Sequence, residues 1–136
     1  MSIMKLHLQW KDIDELVDKL HKEIIKSGIK IEKVYGMPRG GLIPAVMLSH
    51  KMNIPLTTYM YTKNTIIVDD ICDSGQTLEE VLADNPTAVL HYKSKTSTIK
   101  PTLFAKELTI DHWIVYPWEQ PNSEAIQDYK NKNFIG

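Results

Sequence analysis

Thr65-Ile66-Ile67-Val68-Asp69-Asp70-Ile71-Cys72-Asp73-Ser74-Gly75-Gln76-Thr77 is the stretch on which the reading of this chain turns. Ile66 to Val68 form an apolar run of the kind buried on both faces of a parallel sheet. Two adjacent acids end it, and an Asp-Ser-Gly-x-Thr turn follows at once. Leu78, Val81 and Leu82 then fall at helical spacing, so the turn lies between a strand's carboxyl end and a helix's amino end. Gly75 can take a positive φ or let a ligand approach the backbone closely. Free N–H groups of the first helical turn, with the helix dipole behind them, make a phosphate site. Asp69 and Asp70 can accept hydrogen bonds from sugar hydroxyls or hold Mg²⁺ through oxygen. Asp, Ser and Thr also favour helix caps, so a purely structural turn is the competing reading.

The chain of 136 residues fits one domain spanning 1–136, long enough to bury about two thirds of its unfolded surface. Hydrophobic residues make up 43% and charged residues 24%, as in ordinary globular proteins. A formal net charge of −1 gives no general attraction to nucleic acid or to an anionic membrane. The single Cys72 rules out an internal disulfide and suits a reducing compartment. No apolar run reaches the ~18 residues of a membrane span, and no signal-peptide core opens the chain, so cytoplasm is expected. The stretch 120–136 is polar with few apolar anchors and reads as an arm on the surface or against another subunit.

Around the signature, helical and extended patterns alternate. Trp10, Ile13, Leu16, Val17, Leu20 and Ile24 recur at helical spacing, and Gly28 is placed to end that helix. Ile31 to Met37 read as a strand, Leu42 to Met52 as a helix, and Pro55 to Tyr61 as a third strand. Thr87 to Tyr92 make a further strand, and Trp113 to Tyr116 a short apolar run stopped by Pro117. The expected fold is α/β, a parallel twisted sheet flanked by helices on both faces. In such sheets ligands bind outside the carboxyl ends of the strands, where Asp69 to Thr77 sit.

Met37-Pro38-Arg39-Gly40-Gly41 also joins a strand to a helix. Gly40 and Gly41 can bring backbone N–H groups close to an anion, and Arg39 adds a charged fork suited to phosphate oxygens; a plain tight turn remains open. Lys93 follows the strand Thr87 to Tyr92 and can reach the same sheet edge, or be a solvated lysine. Trp113 offers a flat face on which a purine can stack, and the backbone of Ile114 can bond the base's edge; core packing is the alternative, favoured for Trp118. Cys72 reads as filler. The five histidines show no metal-ligand spacing, and Lys93, Lys95, Lys100 and Lys106 read as a solvated loop.

All thirteen positions from Thr65 to Thr77 resemble the phosphoribosyl pyrophosphate (PRPP) signature of the type I phosphoribosyltransferases. Trp10, the run Arg39 to Pro44, Lys93 and the run Trp113 to Glu119 extend that resemblance in colinear order, closest to the bacterial xanthine-guanine enzymes. It implies a small C-terminal base-binding hood and transfer of a 5-phosphoribosyl group from PRPP to a 6-oxopurine, with release of pyrophosphate and Mg²⁺ as cofactor. Asp69 and Asp70 would hold the ribose hydroxyls and the metal, and Asp73 would be the base near purine N7. Ser74, Gly75, Gln76 and Thr77 would cradle the 5-phosphate, and Arg39 and Gly40 the pyrophosphate. Lys93, Trp113 and Ile114 would read the purine. Family members often have a non-proline cis peptide at the bond that here enters Arg39, and they form homodimers or homotetramers. No nucleic acid or membrane partner is implied. The chain departs from the family at Leu56 to Asn64. Only these nine residues precede Thr65 after Pro55, too few for a strand, a mobile lid and a return. That departure supports a second reading, a PRPP- or nucleotide-binding sensor without transfer chemistry.

Overall fold

The computed structural model describes residues 4–59, 63–76, 78 and 84–120. Its centre is a four-stranded, all-parallel sheet in the order β2 (Lys33–Gly36), β3 (Thr65–Cys72), β4 (Thr87–Lys93), β5 (Leu103–Leu108). A separate parallel pair joins β1 (Lys5–His7) to β6 (Trp113–Val115), with Leu6 opposite Ile114. Parallel strands need crossovers, and α1 (Trp10–Ser27) and α2 (Leu42–Met52) provide two of the long connections.

α1 forms where the spacing predicts it. Ile13, Val17, Leu20 and Ile24 are buried along one stripe, and Gly28 ends the helix in the left-handed region at φ 72°. Asp12 accepts from the Gln9 N–H at 2.8 Å, which satisfies a donor at the open amino end. α2 starts at Gly41, tolerates Pro44 in its first turn and stops at Asn53, with φ 54°. Both helices share one core with Val34, Ile66, Val68, Ala88, Leu90 and Ala105. Ile67, between two members of that core, instead packs with Met37, so β3 is buried on both sides as its apolar run predicts. Each fully buried Leu, Ile or Val of this core contributes roughly 1.5–3 kcal/mol.

Two expectations change. Pro55 to Tyr61 is not a full strand: Leu56 makes one isolated parallel bridge to Val34, and residues 60–61 lie outside the described residues. Pro55 still accepts from the Val34 N–H, so the segment borders β2 without a ladder of its own. The lysine-rich stretch after Lys93 is not one solvated loop, because its second half is β5, with Ala105 buried and Lys106 opposite His91. The adjacent polar residues Lys106 and Glu107 on this outer strand hid it. The stretch after the signature, expected to be a helix, lies mostly outside the described residues; Leu78 is buried with Cys72, Val89 and Tyr92. Among the described residues no helix is long and apolar enough to cross a membrane.

Candidate active site

Asp69 and Asp70 lie at the carboxyl end of β3, Asp69 buried and Asp70 half-buried. Their local bonds fix them: Asp69 Oδ1 accepts the Asp70 N–H at 2.8 Å, and Asp70 Oδ1 accepts the Ile71 N–H at 2.7 Å. Burial pushes Asp69 well above the ordinary carboxylate range, and the charge of Asp70 adds to the rise. Burial also raises Asp70, helped by the nearby Glu119 carboxylate and opposed by its hydrogen bonds. Two acids in so little water hold a proton more tightly than separate ones do, and a divalent cation would relieve the repulsion.

The loop after β2 closes on this pair. The peptide bond Pro38-Arg39 is cis. A Cβ on Gly40 would overlap the Asp70 carboxylate, so only glycine lets the loop lie this close. One on Gly41 would run into the Val68 carbonyl and come within 2.8 Å of the Met37 nitrogen. The same backbone is hydrogen-bonded, Met37 N–H to Val68 O and Gly41 N–H to Met37 O, both at 2.8 Å. Arg39 is exposed beside it.

On the other side of the acids, Asp73 and Ser74 are exposed and Gly75 sits at φ 84°. The loop from Ser94 to Ile99 packs along this turn. Thr96 Oγ1 lies 2.8 Å from both the Asp73 carbonyl and Asp73 Oδ1, and the Thr98 N–H reaches the Ser74 carbonyl at 2.9 Å. Ser74 Oγ accepts the Gln76 N–H at 3.2 Å. Ser97 Oγ lies 3.2 Å from Cys72 Sγ, and burial raises that thiol's pKa, in keeping with a packing role. Thr77, expected in the phosphate cradle, lies outside the described residues.

Lys93 is not solvated. It is 5% exposed at the end of β4, with its ammonium 3.0 Å from Asp111 Oδ1 and 3.6 Å from Asp73 Oδ2. A buried ammonium needs such partners. β6 carries Trp113 half-buried and Ile114 buried, held at its start by the Trp113 N–H on the Met4 carbonyl. Trp118 is half-buried, stacked on Tyr116 with ring centroids 4.8 Å apart and planes 1° from parallel.

The acid pair, the glycine loop and Lys93 with Asp73 thus gather at the carboxyl ends of β2, β3 and β4. Asp111 and His91 join them without a motif to announce them, and Tyr116 and Glu119 come from the run Trp113 to Glu119 with no role read for them beforehand. His91 alone carried a signal, a polar residue inside an otherwise apolar strand. Among the described residues no three His, Cys, Asp or Glu side chains form a ready-made metal cage. Two hard carboxylates still suit Mg²⁺, which commonly takes one or two protein carboxylates and completes its shell with substrate phosphates and water.

No family model matches the chain. It is 25% identical over 127 residues to xanthine-guanine phosphoribosyltransferase of Cereibacter sphaeroides, covering 74% of this chain and 75% of that one. The solved purine phosphoribosyltransferase of Pyrococcus horikoshii superposes with a TM-score of 0.70 at 28% identity, over 90% of this chain and 98% of that one. A hypothetical protein from Neisseria gonorrhoeae with bound ppGpp has the same fold, with a TM-score of 0.77 at 22% identity over 90% and 93% of the two chains. The signature read from the sequence, the sheet that carries it and these likenesses agree: the chain has the type I phosphoribosyltransferase fold and is similar in sequence to xanthine-guanine phosphoribosyltransferases.

Proposed function

We propose that this protein transfers the 5-phosphoribosyl group of PRPP to a 6-oxopurine. The observation that carries the reading is the meeting of the buried pair Asp69–Asp70, packed against Gly40, with the Lys93–Asp73 ion pair at one sheet edge. The first half suits a ribose and a pyrophosphate, the second a base whose ring nitrogen loses a proton and whose exocyclic oxygen accepts one hydrogen bond.

In the reaction, the bond from C1′ of the ribose to the pyrophosphate oxygen breaks, and its electron pair leaves with pyrophosphate. A purine nitrogen forms the new bond to C1′, and the ring proton passes to Asp73. Asp69 and Asp70 orient the ribose hydroxyls and would hold Mg²⁺, whose Lewis acidity would spread charge on the departing pyrophosphate. Arg39 and the N–H groups around Gly40 bind that group as its charge grows, while Ser74, Gly75, Gln76 and Thr77 cradle the 5-phosphate. Lys93 donates to the 6-oxo group. Trp113 stacks on the base, and the backbone of Ile114 bonds its edge. Adenine fits less well, because its exocyclic amine cannot accept from Lys93.

The protein mixed with Mg²⁺, PRPP and a single base should give nucleotide and pyrophosphate with guanine, xanthine or hypoxanthine, and none with uracil. Asp73→Asn should remove most turnover while sparing PRPP binding; unchanged turnover would remove Asp73 from the role of base. A second reading, a sensor that binds PRPP or a guanine nucleotide such as ppGpp without transfer, draws on the short segment Leu56 to Asn64. Tight binding of either ligand with no product from any base would favour it.

A further inference from the structure

Asp70 lies past the end of β2, on a stretch of β3 that is still paired with β4 on its other side. The β2–β3 ladder ends with Gly36 opposite Val68, and the Met37 N–H then takes the Val68 carbonyl at 2.8 Å. Two residues on, Asp70 has no β2 residue beside it. Its N–H turns to Asp69 Oδ1, and its carbonyl receives the hydroxyl of Tyr116 at 3.1 Å. That phenol comes from the segment just after β6, 46 residues away in the chain.

The phenol has one proton and gives it to the Asp70 carbonyl, which can only accept. His91 Nδ1 lies 2.8 Å from the same hydroxyl oxygen, and both bonds are made together only when the imidazole donates there. A direction of donation therefore runs from His91 on β4 through Tyr116 to the main chain of Asp70. Burial, with Lys106 and Lys93 nearby, lowers His91 to about 4, so the ring is neutral, and donation to Tyr116 assigns its single proton to Nδ1. Tyr116 and His91 are 2% and 3% exposed, where an unpaired polar atom would be costly. Tyr116 is also held from behind: its N–H donates to Glu119 Oε1 at 2.9 Å, its carbonyl accepts the Glu119 N–H at 2.9 Å, and its ring stacks on Trp118.

We propose that Tyr116 is a positioning residue for the acid pair, replacing the missing strand partner of Asp70, and that His91 acts through it by fixing the direction of its hydroxyl. This rests on the phosphoribosyl transfer reading, because Asp70 is the group that would face the ribose and the metal. With the tie intact, the carboxylates of Asp69 and Asp70 are presented from a main chain fixed on both sides. Without it the strand end can twist, and the half of the site that holds PRPP loosens while the half that holds the base does not.

The experiment is steady-state kinetics with guanine and Mg²⁺–PRPP on the full chain and four variants, with calorimetric PRPP binding beside it. Tyr116→Phe keeps the stack and loses the hydroxyl; the KM and Kd for PRPP should rise roughly five- to tenfold, the worth of one buried hydrogen bond, with the KM for guanine unmoved. His91→Leu should do the same. His91→Asn places an amide donor near the Nδ1 position and should restore near-normal PRPP affinity. The double variant His91→Leu/Tyr116→Phe should be no worse than Tyr116→Phe alone. Equal rises in both KM values, or a His91→Asn no better than His91→Leu, would mean general loosening and overturn the proposal. ¹⁵N NMR of the His91 ring gives a reading free of activity: a proton on Nε2 rather than Nδ1 overturns it as well. If the parent chain binds PRPP but Tyr116→Phe binds it equally well, the proposal alone fails. If the parent chain binds no PRPP, the phosphoribosyl reading fails and takes the proposal with it.

Discussion

Two strand-to-turn junctions flank the acid pair, and they are held by opposite means. The loop 37–41 is locked at Gly41 by backbone against backbone, while a Cβ on Gly40 would meet the Asp70 carboxylate. The turn 73–76 is held by hydroxyls and an N–H from the loop 94–99, reaching across to the carbonyls of Asp73 and Ser74. The first arrangement is all or nothing, because a steric position either exists or is filled. The second is graded, because each bond in it can be lost singly. A site built this way keeps the loop 37–41 fixed and leaves the turn 73–76, with the proposed base Asp73, adjustable.

Gly41→Ala attacks the rigid side and should have the largest effect. Its φ of −77° would suit alanine, so the cost is purely the methyl, which meets the backbone of Val68 and Met37 with no flexible side chain to yield. We expect a loss of roughly 3 kcal/mol or more in urea unfolding, in the range of severe overpacking. A loss under about 1 kcal/mol would show that the loop is softer than its packing implies. Gly40→Ala divides stability from function at the neighbouring position. There the obstacle is the end of the Asp70 side chain, which can rotate away. Stability should fall by only about 1 kcal/mol, while PRPP affinity drops more than tenfold because the carboxylate is displaced.

How these regions could be read beforehand follows the same division. β3, the order of the central elements and the Asp69–Gly75 turn were legible, because a run buried on both faces and a short turn of fixed residue types are local patterns. The glycine loop was legible as a candidate, but its contact with Asp70 was not, since nothing local says which side chain will occupy the space a Cβ leaves free. β5 was missed because Lys106 and Glu107 interrupt its apolar residues, and β1 because three residues carry no period. The residues alone left Lys93 open between a solvated lysine and one at the sheet edge, and its partner Asp111, 18 residues on, gave no local sign. Tyr116 and His91 form their bond across 25 residues, and a long-range pair of polar groups leaves no spacing to detect.

Asp70→Asn tests the acids between the two turns, and pH gives the sign. The fold raises the pKa of Asp70, so the folded chain keeps a proton that the unfolded chain releases above its ordinary 3.8. Ionising Asp70 therefore lowers stability as pH rises through the raised value, whereas Asn carries no charge to bury. At neutral pH Asp70→Asn should unfold at higher urea than the parent, with the gap closing as pH falls toward 3.8. The amide oxygen can still accept the Ile71 N–H, so the local bond survives. PRPP binding in Mg²⁺ should be lost in the same protein, the expected trade between a stable fold and a charged site. A parent chain more stable than the variant at neutral pH would mean that the carboxylate earns its place structurally.

Thr96→Val probes the graded side and should have the smallest effect. It removes the hydroxyl that lies 2.8 Å from both the Asp73 carbonyl and carboxylate, at an exposed position where water can replace it. Stability should change by about 0.5 kcal/mol, at the low end for one hydrogen bond. The Thr98 N–H still holds the Ser74 carbonyl and Lys93 still faces Asp73, so the turn keeps two of its supports. What should change is the freedom of the Asp73 carboxylate, seen as a fall in kcat of a few fold with the KM for PRPP unmoved. A loss as large as that of Gly41→Ala would erase the distinction between the two junctions, because the turn would then depend on one bond as wholly as the loop depends on its missing methyl.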